Sequence, residues 1–267
     1  MSTAFPARGV SAWTFHKQFQ NNTLEHPEFF RIIADLGVRD VELIAAFLPS
    51  QEPEYLRGIR QAAEAHGLRF VNIAIDDRYD LSSADAANRR NAIDRTIAWL
   101  DAAVILGCPN VRNNSGGENM DACVESFTTL AAEAGKRGLN MLIEAHGGFS
   151  SDAAIILPII DRVRQAHPGR LSLVADFGNV YTTPERDRYA QIRDMAPYAS
   201  IIHPKMHNFD ENGDQPEWNT ARLVKIVLDS GFDGPWIVEY EGSNDDPVSG
   251  LNKSYALLER CFQLAKE

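Results

Sequence analysis

The chain has 267 residues, of which 44% are hydrophobic, and this length is normal for a single α/β barrel with a large core. A formal net charge of −11 argues against nucleic acid as a partner, because proteins that bind it usually carry a basic face. The sequence predicts no secretory signal and no membrane span, and its three widely spaced cysteines predict reduced thiols in a cytoplasmic protein.

A repeated pattern runs along the chain, in which a helical stretch ends at a glycine and a short β-rich run follows. The glycines at these positions are Gly37, Gly67, Gly107, Gly138 and Gly231. Glycine suits the left-handed position that closes a helix, and short apolar runs are typical of parallel strands buried on both faces. Three further strands are predicted at residues 9–15, 170–177 and 199–205.

The predicted strands start near residues 9, 40, 69, 109, 140, 171, 199 and 235, at the spacing of βα units. The predicted helices between them include His26–Leu36, Ala84–Leu106, Asp121–Arg137, Asp152–Gln165, Trp218–Ser230 and Ser249–Lys266. Eight βα units favour a single (β/α)8 TIM barrel that spans residues 1–267 as one domain. A doubly wound sheet fits less well, because no G-x-G-x-x-G turn follows the first strand.

The last four predicted strands end in ionisable residues. These residues are Glu144, then Asp176, then His203 and Lys205, then Glu239 and Glu241. The carboxyl ends of barrel strands meet at one mouth, so three carboxylates and an imidazole are expected to converge there. Such carboxylates would repel one another, and a divalent cation between them is the economical solution. The predicted ligands are therefore Glu144, Asp176, His203 and Glu239, with Mn²⁺ expected first and Mg²⁺, Co²⁺ or Zn²⁺ as alternatives.

Two ligand positions have competing candidates. Pro204 cannot donate a ladder hydrogen bond, and a local bulge there would exchange His203 for His207 as the ligand. We favour His203. At the eighth strand Glu239 fits the strand end better, and Glu241 is interpreted as a group at the rim or behind the ligands.

Further polar residues near the strand ends are candidates for contact with substrate. They are His146, Arg112, Glu42, Asn179 and His207. Arg112 could bind a carboxylate or phosphate in bidentate fashion, or pair with an acidic neighbour. Glu42 could bind substrate hydroxyls, or form a salt bridge inside the barrel. Lys205 could neutralise a developing oxyanion, or pair with a ligand carboxylate.

Two aromatic residues close the first predicted strand. Trp13 and Phe15 could form an apolar wall for a sugar face, or belong to the core.

The order of Glu, Asp, His and Glu on consecutive strands resembles the xylose-isomerase-like TIM barrels, the sugar phosphate isomerase/epimerase superfamily. The resemblance lies in VELIAAF, IAWLDAAVILGCPNVRNN, IEAHGG, ADFGNV, HPKMHNFDENG and VEYEG. It implies a metal-dependent isomerase or epimerase that acts on a keto-sugar or related polyol through an enediolate. Glu144 and Glu239 would then be both metal ligands and the acid/base pair. Because relatives in this family often form oligomers, a homo-oligomer is compatible with the resemblance.

Two departures from the family pattern keep an alternative open. Many relatives carry a histidine where this chain has Asn179, and an aspartate where it has Met206. The alternative is a metal-dependent lyase or dehydratase acting on a keto-sugar, keto-glycoside or cyclic polyol. An abasic-site endonuclease of the same fold is disfavoured by the acidic charge and by the few histidines at strand ends.

Overall fold

The structure is a computed structural model, and it describes residues 8–76, 80–184 and 187–265. Within these ranges the strands are β1 (Arg8–Ser11), β2 (Val38–Ile44), β3 (Arg69–Ile75), β4 (Asn110–Asn113), β5 (Asn140–Glu144), β6 (Leu171–Asp176), β7 (Ala199–His203), β8 (Lys205–Met206) and β9 (Trp236–Tyr240). Neighbouring strands pair in parallel in the order β1 to β7, and β9 then pairs with both β7 and β1. This pairing closes an eight-stranded barrel, to which the short β8 adds along β9.

Helices surround the barrel, as predicted for a TIM barrel. They are α1 (His16–Gln20), α2 (His26–Asp35), α3 (Pro53–Ala65), α4 (Ala86–Leu106), α5 (Met120–Lys136), α6 (Ala153–Ala166), α7 (Arg188–Met195), α8 (Thr220–Asp229) and α9 (Pro247–Leu264). The last residue of the final predicted helix, Lys266, lies outside the described residues. Among the helices of the described ranges, none is long and apolar enough to cross a membrane.

The glycine pattern of the sequence has the predicted conformation. All five glycines have a left-handed φ, and Gly107, at +70°, closes α4. A side chain is strained at such a φ, which explains why glycine stands there.

The barrel interior is filled by five buried apolar side chains, which form a cluster separate from the larger core between strands and helices. They are Val71, Leu142, Val174, Ile201 and Ile237. Strand side chains alternate between faces with a period of two residues. The residue two positions after each of the last four therefore also points inward, one layer nearer the mouth. Those residues are Glu144, Asp176, His203 and Glu239.

The largest differences from the predicted strand boundaries lie at the first and seventh strands. The first strand ends at Ser11, and residues 12–15 form a 3₁₀ turn in which the Ser11 hydroxyl accepts a hydrogen bond from the backbone N–H of Trp13. The seventh predicted strand is interrupted at Pro204, so that β7 ends at His203 and a separate short strand, β8, pairs with β9. Proline lacks the backbone donor that a continuous ladder needs.

Candidate metal centre

Three buried residues at the ends of β5, β6 and β7 meet at the mouth of the barrel. His203 Nδ1 lies 3.2 Å from Glu144 Oε1 and 3.7 Å from Asp176 Oδ2. Each of the three residues offers one ligand atom, and these atoms lie within 4.8 Å of one another. The arrangement follows from strand parity.

A second group of potential ligands shares the same histidine. Glu42, His203 and Glu239 also offer ligand atoms within 4.8 Å of one another, and Glu42 Oε2 lies 3.2 Å from His203 Nε2. Ser11 Oγ and Asn72 Nδ2 donate hydrogen bonds of 2.8 and 2.7 Å to the carboxylate of Glu42. Of the two roles predicted for Glu42, a substrate contact and a salt bridge inside the barrel, the structure shows the contact with a buried ionisable partner, His203.

The donor set fits a divalent cation. In the described part of the chain the buried Asp176 Oδ2 accepts no hydrogen bond, and the side chains of His203 and Lys205 lie 3.7 Å from it. An unsatisfied buried polar atom costs about 1–3 kcal/mol, so this oxygen is in an unfavourable state as it stands. Carboxylate and imidazole donors are those that Mn²⁺, Mg²⁺ and Zn²⁺ accept, and an ion would use these atoms.

The carboxylate of Asp176 is fixed by backbone hydrogen bonds to one of its oxygens, and the other oxygen remains available to a ligand. The backbone N–H groups of Gly178 and Asn179 donate hydrogen bonds of 2.6 and 2.8 Å to Asp176 Oδ1. Its Oδ2 faces His203 and Lys205, at 3.7 Å from each.

Arg112 is a buried cation on the β5 side of the centre. Its Nη2 lies 2.7 Å from Glu144 Oε2, and its Nη1 donates hydrogen bonds to Asp76 Oδ1 and Asn114 Oδ1 at 2.7 and 3.0 Å. Burial acts to raise the pKa of Glu144, but Arg112 and His203 outweigh it and hold this pKa below its usual value. Of the two roles considered from the sequence, the structure shows the pairing with acidic neighbours.

Lys205 is a second cation, on the opposite side. Its Nζ lies 2.7 Å from Glu239 Oε1 and 3.5 Å from Glu241 Oε1, and it donates a hydrogen bond of 3.2 Å to Asn179 Oδ1. Burial acts to lower the pKa of Lys205, but the surrounding carboxylates raise it, so the amine is charged. Burial also raises the pKa of Glu239 to about 8, although Lys205 opposes this shift.

Two predicted substrate contacts lie outside the buried cluster. His146 is exposed and follows β5. It lies close enough to Asp76 to affect the pKa of that carboxyl: burial raises this pKa, Arg112 opposes burial and lowers it, and His146 lowers it by a smaller amount. His207 Nδ1 lies 2.8 Å from Glu217 Oε1, and the ring packs edge-on against Trp218. The buried histidine among the carboxylates is therefore His203.

Trp13 and Phe15, the two aromatic candidates of the first strand, lie in different environments. Phe15 belongs to the core, where it packs edge-on against Phe29. Trp13 is half-buried, and its indole Nε1 donates a hydrogen bond of 2.6 Å to Glu241 Oε1.

Asp76, which accepts from Arg112, was missed by the sequence analysis. It directly follows β3, so the run FVNIAID carries the same signal as the later strands, an apolar strand that ends in a carboxylate.

Comparison with known proteins gives a family and a fold. The model of the family described as xylose isomerase-like TIM barrel matches residues 30–261. The C-glycoside deglycosidase alpha subunit of Microbacterium trichothecenolyticum is 36% identical over 219 residues, which are 74% of this chain and 54% of the relative. The chain thus spans about half the length of that curated relative.

Solved structures of low sequence identity share the fold. An L-ribulose 3-epimerase superimposes with a TM-score of 0.75 at 14% identity and covers 98% of this chain and 96% of its own. A xylose isomerase-like TIM barrel protein from Mycobacterium smegmatis, solved in complex with magnesium, has a TM-score of 0.71 at 15% identity and covers 99% of both chains.

Proposed function

The chain belongs to the xylose isomerase-like TIM barrel family, and from that premise we propose that it is a metal-dependent lyase acting on a keto-glycoside. In this reaction a proton next to the sugar ketone is removed, and the bond to the attached group breaks by elimination. The observation that carries the proposal is the buried set of carboxylates and imidazole, in which, among the described residues, Asp176 Oδ2 accepts no hydrogen bond. The 36% identity to a C-glycoside deglycosidase alpha subunit supports elimination as the outcome.

The proposed metal ligands are Glu144, Asp176, His203 and Glu239, and Mn²⁺ is the proposed ion. A divalent cation bound there would stabilise the negative charge that develops on the ketone oxygen as the proton leaves. Lys205, charged and 2.7 Å from Glu239, would add a second positive charge near that oxygen.

The two glutamates have different environments, which suggests different roles. Arg112 and His203 keep Glu144 ionised, so Glu144 is the proposed base. Glu239 lies on the opposite side of the site, 2.7 Å from the Lys205 amine, and is the proposed acid. Substrate hydroxyls would be bound by groups at the rim, for which His146 and Asn179 are the proposed candidates.

The position of the ketone follows from the chemistry of elimination. With the ketone at carbon 3 of the sugar, the acidic proton is on carbon 2 and the leaving group is on carbon 1. Glu144 takes the proton, and the electron pair of the C–H bond forms the double bond between carbons 1 and 2. The bond from carbon 1 to the attached group breaks, and the leaving atom takes a proton from Glu239. The products are an unsaturated keto-sugar and the released group.

A second candidate function is isomerisation or epimerisation of a keto-sugar, which shares the first step. It is favoured by the presence of two carboxylates, Glu144 and Glu239, around one site, since one can remove a proton and the other can return it. Return to the other face of the same carbon would give an epimer, and return to the neighbouring carbon an isomer.

The test follows the proton on carbon 2. The protein, both recombinant and purified from native cells so that any companion chain is retained, is incubated with 3-keto-glycosides in deuterated water. We expect release of the attached group, with deuterium at carbon 2 of the substrate that is recovered, both abolished by a chelator and restored by Mn²⁺. A product that keeps the attached group and has an inverted, deuterated centre would instead establish the epimerase, and full activity after removal of all bound metal would contradict both functions.

A further inference from the structure

A crevice of about 940 Å³ opens beside the metal centre, between the segments that follow β1 and β2. We call it the aromatic crevice, because its lining includes Trp13, Phe19, Phe47 and Tyr55. Its volume is within the range of about 300–1,000 Å³ that small-molecule sites typically have. A monosaccharide bound over the metal centre would leave this space unfilled.

Three rings in the crevice lie nearly parallel. The ring centroids of Phe19 and Phe47 are 4.9 Å apart with 12° between the planes, and those of Phe47 and Trp13 are 5.9 Å apart with 7° between the planes. Aromatic rings prefer offset-stacked or edge-to-face contacts with other rings. The three rings stack on one another, and Trp13 also stacks on His16, so together they give the crevice an aromatic wall that favours contact with an aromatic occupant.

The crevice is continuous with the metal centre at two points. Trp13, which lines it, donates to Glu241, and Glu241 Oε1 lies 3.5 Å from Lys205 Nζ. Asp76 also lines it and accepts from Arg112, which is paired with Glu144. A molecule with its sugar at the metal centre would have its attached group at the entrance to the crevice.

One buried side chain of the crevice lining has a polar atom without a partner. His26 lines the crevice with 4% of its surface exposed, and its Nε2 has no hydrogen-bond partner in the described part of the chain. The exposed carboxylate of Glu25 is its neighbour in the lining. These groups suit a hydroxyl on an aromatic ring, which can donate to the carboxylate and bind the imidazole.

We propose that the aromatic crevice binds a flat, hydroxylated aromatic group joined to the sugar whose ketone lies at the metal centre. This inference rests on the proposed lyase function and names its substrate class, an oxidised glycoside of a phenolic aromatic compound. The ring stack supplies apolar contact, and His26 supplies a hydrogen bond that fixes the orientation of the ring.

Gly58 offers a way to fill the crevice without disturbing its walls. It lies in α3 and lines the crevice, and a Cβ atom built on it would meet no described atom within 4 Å. Leucine has a higher helix propensity than glycine, so Gly58→Leu is expected to fold. Gly135 in α5 is the matched control, because a Cβ there makes ordinary contacts of 3.6–4.0 Å with Arg170, and Gly135 is not part of the crevice lining.

The first experiment measures binding alone, with a hydroxyflavone as the probe in isothermal titration calorimetry. We expect wild type and Gly135→Leu to bind it with equal Kd, and Gly58→Leu to bind at least tenfold more weakly at an unchanged Tm. His26→Leu should weaken binding severalfold. Failure of wild type to bind the probe, or equal binding by folded Gly58→Leu, would overturn the assignment of the crevice.

The second experiment separates this inference from the lyase function. Turnover is compared for two 3-keto-glucosides, one carrying the aromatic group and one carrying a methyl group. The ratio of interest is kcat/KM for the aromatic keto-glucoside divided by kcat/KM for the methyl keto-glucoside. We expect Gly58→Leu to lower this ratio at least tenfold and Gly135→Leu to leave it unchanged. If wild type binds the hydroxyflavone but converts neither keto-glucoside, the lyase function fails and the crevice stands. An unchanged ratio in Gly58→Leu would contradict the crevice and leave the lyase function intact.

Discussion

The candidate metal centre and the aromatic crevice lie side by side and are built from different kinds of residue. The centre consists of buried charged side chains at strand ends, whose direction is set by strand parity. The crevice consists of aromatic side chains on the segments after β1 and β2, and one of its walls is a helix. The barrel thus determines the chemistry, and the connecting segments determine what is presented to it.

The largest expected effect is on the metal centre itself. Glu144→Gln keeps the shape of the side chain but removes the charge that faces Arg112 and His203. We expect loss of the bound ion and a fall in kcat of about a thousandfold, because metal stabilisation of the transition state contributes several kcal/mol. Metal analysis and initial rates measure both quantities. In the control, Glu125→Gln on α5, metal content and rate should remain at wild-type values, and retention of the ion by Glu144→Gln would contradict the ligand assignment.

The next effect concerns the balance of buried charge. Arg112→Met leaves Glu144 and Asp76 without their cation, and removal of one partner from a buried ion pair typically costs about 3–5 kcal/mol. The free energy of unfolding in urea should fall by that order, and added Mn²⁺ should recover part of the loss, because binding to the native state stabilises it. Arg31→Met, whose partners Glu28 and Asp35 are exposed, should change little. Equal stability of Arg112→Met and wild type would show that the charges are already balanced without Arg112.

The convergence of Glu144, Asp176 and His203 could be predicted from the sequence because its signal is local. Each of the predicted ligands ends an apolar run, and a period of two puts Leu142 and Glu144, or Val174 and Asp176, on one face. A salt bridge of Glu42 inside the barrel was one of its two predicted roles, but its partner His203 was not predictable, since that depends on how far across the mouth each side chain reaches. The two roles weighed for Arg112 could be separated only by the distance to Asp76 and Glu144.

The crevice could not be predicted for a different reason. The residues Trp13 and Phe15 are two positions apart, but one lines the crevice and the other enters the core, because residues 12–15 form a 3₁₀ turn and not a strand. Phe47 and Tyr55 belong to a different βα unit, and no periodicity relates them to Trp13. Packing between connecting segments decides such a site, and the sequence pattern of the strands carries no information on it.

The pH dependence of stability should also report on the crevice. Burial lowers the pKa of His26 to about 4, below its unfolded value of 6.5, so the unfolded chain binds more protons between these values. The contribution is fully present above pH 6.5 and is lost as the pH falls towards 4, by about 1.4 kcal/mol per pH unit. Urea unfolding of wild type and His26→Leu across this window should show a steeper loss for wild type. Parallel curves would contradict the burial of an uncharged His26.

The smallest expected effect lies at the boundary between the two regions. Trp13→Phe keeps an aromatic ring in the crevice but removes the hydrogen bond to Glu241. A hydrogen bond of this kind contributes about 1 kcal/mol, so KM for an aromatic keto-glucoside should rise roughly fivefold. Metal content should stay at the wild-type level, and its loss would show that the crevice and the centre are not separate units.

The most direct test of the central claim is an anomalous difference map from a crystal soaked in Mn²⁺, with data collected on both sides of the manganese absorption edge. The account predicts one strong peak in the barrel mouth, about 2.0–2.6 Å from oxygens of Glu144, Asp176 and Glu239 and from a ring nitrogen of His203. A peak held by Glu42 without Glu144 and Asp176, or a barrel mouth without a peak, would contradict it. The buried charges would then be an ion-pair network, and the proposed chemistry would lose its basis.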